Sequence, residues 1–163
     1  MKRGKWYSIL VAGLVLSLAS SVLVCGQPND REGQEIINYL ESIMPIMEAN
    51  DAWLDEYNDL QRIKNIDLKE YEIQMLDLTL RLNEIYHDLY STTPPPVLRD
   101  FKHKFCKECE LRIEAQKLVS RAFLETNPQL LLEADELIWE ANAVRSEWGE
   151  QLIDLFDKYN IKY

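Results

Sequence analysis

The stretch 128–159, PQLLLEADELIWEANAVRSEWGEQLIDLFDKY, sets Leu130, Ala134, Leu137, Ala141, Val144, Trp148, Leu152, Leu155 and Tyr159 at steps of three and four. That spacing returns each of these side chains to one face of an α-helix and leaves the acidic residues on the others. A half-buried strand would alternate every second position, and this stretch does not. A helix over about 128–159 with a single apolar seam follows.

The same period recurs upstream. Residues 31–63 carry Ile36, Leu40, Ile43, Met47, Asn50, Leu54 and Tyr57, and residues 67–90 carry Leu68, Tyr71, Met75, Leu78, Leu82, Ile85 and Leu89. Residues 96–125 are less regular, with Leu98, Phe101, Phe105, Leu111, Ala115, Leu118 and Ala122. Between these runs lie Lys64-Asn-Ile-Asp67, Ser91-Thr-Thr-Pro-Pro-Pro96 and Thr126-Asn-Pro128, which are breakers. Asp67 can cap the second helix, and Asn127 the fourth with Pro128 opening it. Pro45 falls opposite the first seam, on the solvent side, so the first helix is expected to continue through it with a kink near Ile43 or Met44 that curves it around the core. Asn50, polar in a seam, suits a residue that sets packing register. Four long helices, each with one apolar seam and short connections, predict an all-α, antiparallel up-down four-helix bundle over residues 27–163.

Ahead of that domain the composition changes. Met1-Lys-Arg-Gly-Lys5 is cationic, residues 6–24 are almost wholly apolar, and the chain turns polar at Gln27. This is the pattern of an export signal, so residues 1–26 are expected to be a leader or membrane anchor, with the domain outside the cytoplasm in the cell envelope. Three fates fit. Val22-Leu-Val-Cys25 resembles a bacterial lipobox, which implies lipidation at Cys25, although Val24 stands where Gly, Ala or Ser is usual. Cleavage after Gly26 would release a secreted domain. Retention would use an apolar run close to the ~20 residues that span a bilayer.

Charge and glycine content remove several function classes. The chain has 18 Lys and Arg against 28 Asp and Glu. The leader takes Lys2, Arg3 and Lys5 and no acid, leaving fifteen cations against 28 acids, a net of −13. Such a surface repels phosphate backbones, which argues against nucleic acid as a partner. Only Gly33 and Gly149 lie beyond the leader, so no glycine-rich loop exists to cradle a nucleotide.

The constellation with most chemistry is His103-Lys-Phe-Cys106-Lys-Glu-Cys109-Glu110. Haem attachment would need His after Cys-x-x-Cys, and Glu110 stands there instead. His103, Cys106 and Cys109 follow each other at three-residue steps, drifting about 60° around the helix each time. They form an oblique stripe toward the edge of the apolar face, able to take zinc or copper only with a further ligand. The plainer reading is a thiol pair on a helix flank, free or oxidised, since the spacing permits a disulfide. No cofactor is expected.

Glu84-Ile-Tyr-His87 and Asp100-Phe-Lys-His103 have the spacing of di-iron bundle ligands, but the seams turn them outward. Met44 and Met47 read as core filling. No serine has a setting that suggests acyl transfer.

Ile73, Leu76 and Leu80 make a second apolar stripe on the side of the second helix away from its seam, and Trp139 with Leu132 does the same on the fourth. Apolar residues on two faces of a bundle helix point to a partner chain or a homodimer. The expectation is therefore a membrane-tethered, non-enzymatic binding or structural/assembly module. The alternative is a metal- or thiol-handling protein using the His-x-x-Cys-x-x-Cys stripe.

Overall fold

A computed structural model describes residues 31–63 and 67–161. The leader, Cys25 and the bond after Gly26 lie outside the described residues. Four α-helices follow one another: α1 (Arg31–Leu60), α2 (Leu68–Ser91), α3 (Arg99–Leu124) and α4 (Gln129–Lys158), with a single 3-10 turn, Pro96–Leu98, before α3. No strand occurs among the described residues, and none of their helices is long and apolar enough to cross a membrane.

Cross-helix contacts give the directions. Between α1 and α2, Tyr39 meets Thr92, Trp53 meets Leu78 and Gln61 meets Tyr71, so one number climbs as the other falls. Between α2 and α3, Tyr86 meets Glu110, Thr79 meets Gln116 and Tyr71 meets Phe123. Between α3 and α4, Phe101 meets Trp148 and Arg112 meets Asn142. Each neighbouring pair is antiparallel, and the whole is an all-α four-helix bundle.

Local signals explain the boundaries. Asp67 caps α2, its Oδ1 accepting from the amides of Lys69 at 2.9 Å and Glu70 at 3.3 Å. Asn127 Oδ1 accepts from the amide of Gln129 at 3.1 Å, with Pro128 leading into α4. Lys102 reaches back over the C-terminal end of α2 and donates to the carbonyls of Tyr90 and Thr92, where a cation complements the helix dipole. Pro45 lies within the unbroken α1 on its exposed side. Two helices end in the same hydrogen-bonded hook, with Asn127 N bonded to Ala122 O and Ile161 N to Phe156 O.

Each hook needs one residue in left-handed conformation, Thr126 (φ 50°) and Asn160 (φ 51°). Asparagine tolerates that conformation, but a β-branched threonine is held there against its preference. Thr126→Gly is therefore expected to raise stability by about 0.5–1 kcal/mol, read as a higher midpoint in urea with unchanged slope.

The seams meet as the periodicity requires, with three differences. Leu68, the first residue of α2, is exposed rather than packed. Trp53 is buried and donates Nε1–H to Leu78 O at 2.8 Å, tying α1 to α2. Cys109 lies inside the core, not on a flank, Cys106 is buried at the edge of a surface groove, and both are free thiols. Both belong to the main core cluster, to which all four helices contribute, and α3 makes its most extensive contact with α4. Ala115 and Ala122 of α3 pack with Ala134 and Leu130 of α4, and small side chains let the axes approach closely. With α2 on its other side, α3 is covered over most of its circumference.

Candidate functional site

The most highly built group of polar side chains is inside the bundle. Glu108 of α3 is fully buried and Arg112, one turn on, is 1 % exposed. Glu108 Oε1 accepts from Arg112 Nε at 3.0 Å and from Arg145 Nη1 of α4 at 3.1 Å, while Oε2 accepts from Trp148 Nε1 at 2.8 Å. Arg112 also donates to Asn142 Oδ1 at 2.9 Å, and Arg145 pairs with Asp51 of α1. Three helices are thus joined by two carboxylates and two guanidinium groups, a neutral set within a strongly acidic chain. Trp148 packs against Phe105 at 5.2 Å and Phe101 at 5.6 Å between ring centres, and Arg145 lies over its ring. An apolar wall therefore surrounds the charges.

Burial drives the Glu108 carboxyl up, but Arg145, Arg112 and the Trp148 bond outweigh it, holding the group below the ordinary glutamate value. At Asp51 burial wins over Arg145, and the carboxyl is raised. Both oxygens of Glu108 are occupied and no part of it reaches solvent. A general acid, base or metal ligand must be reached by what it acts on. Glu108 ties helices together and has no approach for a reactant. Asn50 Oδ1, Gln116 Nε2 and Arg145 Nε are buried without a hydrogen-bond partner among the described residues. Orphan groups of this kind lower stability while specifying which helix layers meet.

The sequence carried a signal for this cluster. Positions 98, 101, 105, 108, 112, 115, 119 and 122 step by three and four without a break, so Glu108 and Arg112 occupy seam positions. Reading apolar residues alone skips from Phe105 to Leu111 and makes the helix look irregular.

The stripe expected on the same helix is divided by the fold. His103 is exposed and Cys106 nearly buried, and both line a shallow groove of about 290 Å³ with Tyr90, Lys102, Lys107 and Glu110. Cys109 is fully buried and does not reach that groove. No group of three or more His, Cys, Asp or Glu side chains is placed to hold a metal ion among the described residues. Burial pushes both thiols up, Cys109 far more, with the Glu108 charge adding to it. A thiol needs its anion to react or ligate. In native protein at pH 7, Cys109 is expected to resist a thiol-specific reagent and Cys106 to react slowly, with both reacting at once in urea. Immediate release of two equivalents without denaturant would contradict this burial.

Glu84, His87, Asp100 and His103 are exposed, as the seams required, and do not converge. Met47 is buried and Met44 packs against the same core. On the outside, Ile73, Leu76 and Leu80 of α2 are 61, 62 and 57 % exposed, Leu132 is 58 % and Trp139 is 76 % exposed. The apolar stripe predicted for a partner is therefore on the surface of the bundle.

Fold and interior together define the class, an acidic four-helix bundle with an ion-paired core. Compared with known protein families, characterised proteins and solved structures, the chain matches none of them.

Proposed function

We propose that the chain is an extracytoplasmic bundle, tethered to the membrane through its leader, that works as a non-enzymatic binding or assembly module. One observation carries this reading. The polar cluster best placed for chemistry is sealed inside the core, whereas large apolar side chains stand in a row on the outer face of α2. Water disfavours such a row unless another surface covers it. The leader supplies the address, through its cationic start, its apolar run and the abrupt turn to polar residues after Cys25.

Two measurements test the two halves. Mass spectrometry of the protein recovered from membranes reads the N-terminus. A diacylglyceryl group on Cys25 or an intact leader supports the tether, and a chain beginning at Gln27 in the soluble fraction removes it. For the binding face, Leu76→Glu with Leu80→Glu is expected to leave far-UV ellipticity unchanged and to lower the mass of the native assembly by light scattering. An assembly mass identical in both proteins would contradict the role of α2.

A further inference from the structure

We propose that the outer face of α2 pairs with α2 of a second copy, the two helices running antiparallel about a two-fold axis between Leu76 and Asp77. This deepens the reading of α2 as a binding surface and rests on it. The face is exposed from Lys69 to Glu84 along Ile73, Leu76 and Leu80. A two-fold contact must be self-complementary, since the same patch faces itself. In the antiparallel register about that axis, Ile73 meets Leu80 of the second copy and Lys69 meets its Glu84. A parallel arrangement would instead set Lys69 against Lys69 and Glu84 against Glu84.

The charges at the two ends of the stripe support this choice. Neither the Lys69 ammonium nor the Glu84 carboxylate has a side-chain partner in its own chain among the described residues. Most of the described cations do, Arg31, Arg62, Lys117 and Arg121 included. Lys69 and Glu84 each lie four residues beyond the last apolar residue, the spacing that continues one helix face. An apolar centre with opposite charges at its ends is the pattern by which helix pairs fix orientation.

Three side chains make a small patch beside the roughly 800 Å² per partner of a stable soluble dimer. The contact is thus weak between free copies, populated enough for light scattering at high protein concentration, and gains where copies are concentrated on a surface. The two α1 N-termini emerge at opposite ends of this dimer, so copies tethered to one membrane lie along its plane.

The test uses the full chain, leader included, in intact cells, with a photoreactive benzoyl-phenylalanine in place of Leu76. Illumination is expected to give a covalent product of twice the chain mass. Lys69→Glu alone and Glu84→Lys alone should each cut its yield about three- to fivefold, because the two-fold axis repeats the exposed ion pair and each substitution reverses both copies of it, and the double swap should restore it. A dimer product whose yield ignores the single reversals, or that the double swap fails to restore, overturns the antiparallel register. A cross-link to a different protein overturns self-pairing while leaving α2 as a binding face. Absence of any cross-linked product overturns both.

Discussion

Glu108→Gln is expected to destabilise the bundle by about 3–5 kcal/mol, the largest effect of any conservative substitution in the chain. The change keeps the shape of the side chain and removes its charge. The amide has one acceptor oxygen: turned to the arginines it sets its NH2 against Trp148 Nε1–H, and turned to Trp148 it leaves Arg112, 1 % exposed, with Asn142 as its only side-chain acceptor. Arg145 retains Asp51 either way. A buried cation stripped of its counter-ion costs far more than the pair contributed when intact, because both ions were desolvated on folding. The complementary substitution discriminates between charge and packing. Replacing Glu108, Arg112 and Arg145 together by Leu, Leu and Met removes every unpaired charge except that of Asp51, whose side chain is 20 % exposed. This triple variant should therefore recover most of the loss and be at least as stable as wild type, within about 1–2 kcal/mol. Urea midpoints of the three proteins decide the matter.

Acid sharpens the same prediction. The Glu108 carboxyl titrates below its ordinary value of 4.5 in the folded chain, so its contribution is fully present above pH 4.5 and is lost as pH falls through the folded pKa. Protonated Glu108 resembles glutamine. The gap between wild type and Glu108→Gln should therefore close as pH drops below 4.5. Asp51 works in the opposite direction, because its folded value is raised. What it contributes is present at acid pH and lost as pH rises through that value, and the loss is smaller in Glu108→Gln because the Glu108 charge is one of the causes that raise Asp51. A gap that stays constant from pH 7 to pH 3 would show that folding does not lower the Glu108 pKa, and wild type gaining on the variant as pH falls from 7 toward 4.5 would show that folding raises it.

Trp148→Ala is expected to cost about 3–5 kcal/mol for a different reason. The indole is 1 % exposed, packs on Phe101 and Phe105, and is the donor to Glu108 Oε2. Truncation removes apolar area, leaves a cavity between α3 and α4, and strips one oxygen of a buried carboxylate. Trp148→Phe separates these contributions. It keeps most of the volume and loses only the N–H, so it should cost about 1–3 kcal/mol. Equal losses for the two variants would mean that the hydrogen bond, and not the packing, dominates at this position.

These two positions also show how far the sequence could be read. Trp148 was legible, since it sits in an unbroken run of apolar residues at helical steps from Leu130 to Tyr159. So were the four helices, with breakers at 91–96 and 126–128 where α2 and α3 stop, while α1 stops at Leu60, ahead of the breaker at 64–67. The outer stripe of α2 was legible as well, because Ile73, Leu76 and Leu80 cannot share a face with Leu78 and Leu82. Glu108, Arg112 and Arg145 were not found, because a search for apolar seams treats a charged residue as solvent-facing. Their seam positions show only when the step is followed regardless of chemistry. The cysteines were misplaced for a related reason. The angular width of the α3 apolar face was judged from α3 alone, whereas its burial depends on the helices packed on either side of it. Coverage by a neighbour is a property of two sequences at once, and neither reveals it separately.

The fold divides the chain's labour. Chemistry-bearing side chains within the bundle fasten helices to one another, and the surfaces offered to other molecules are apolar or acidic. Hydrogen exchange at the indole N–H groups tests this division most directly. Trp148 and Trp53 donate to Glu108 and to Leu78 O from within the core, while Trp139 is 76 % exposed. In deuterium oxide the Trp139 indole proton should exchange at the rate of a free side chain. Those of Trp53 and Trp148 should persist until the whole bundle opens. Exchange at Trp148 as fast as at Trp139 would mean that the charged cluster is open to water, which contradicts a sealed interior.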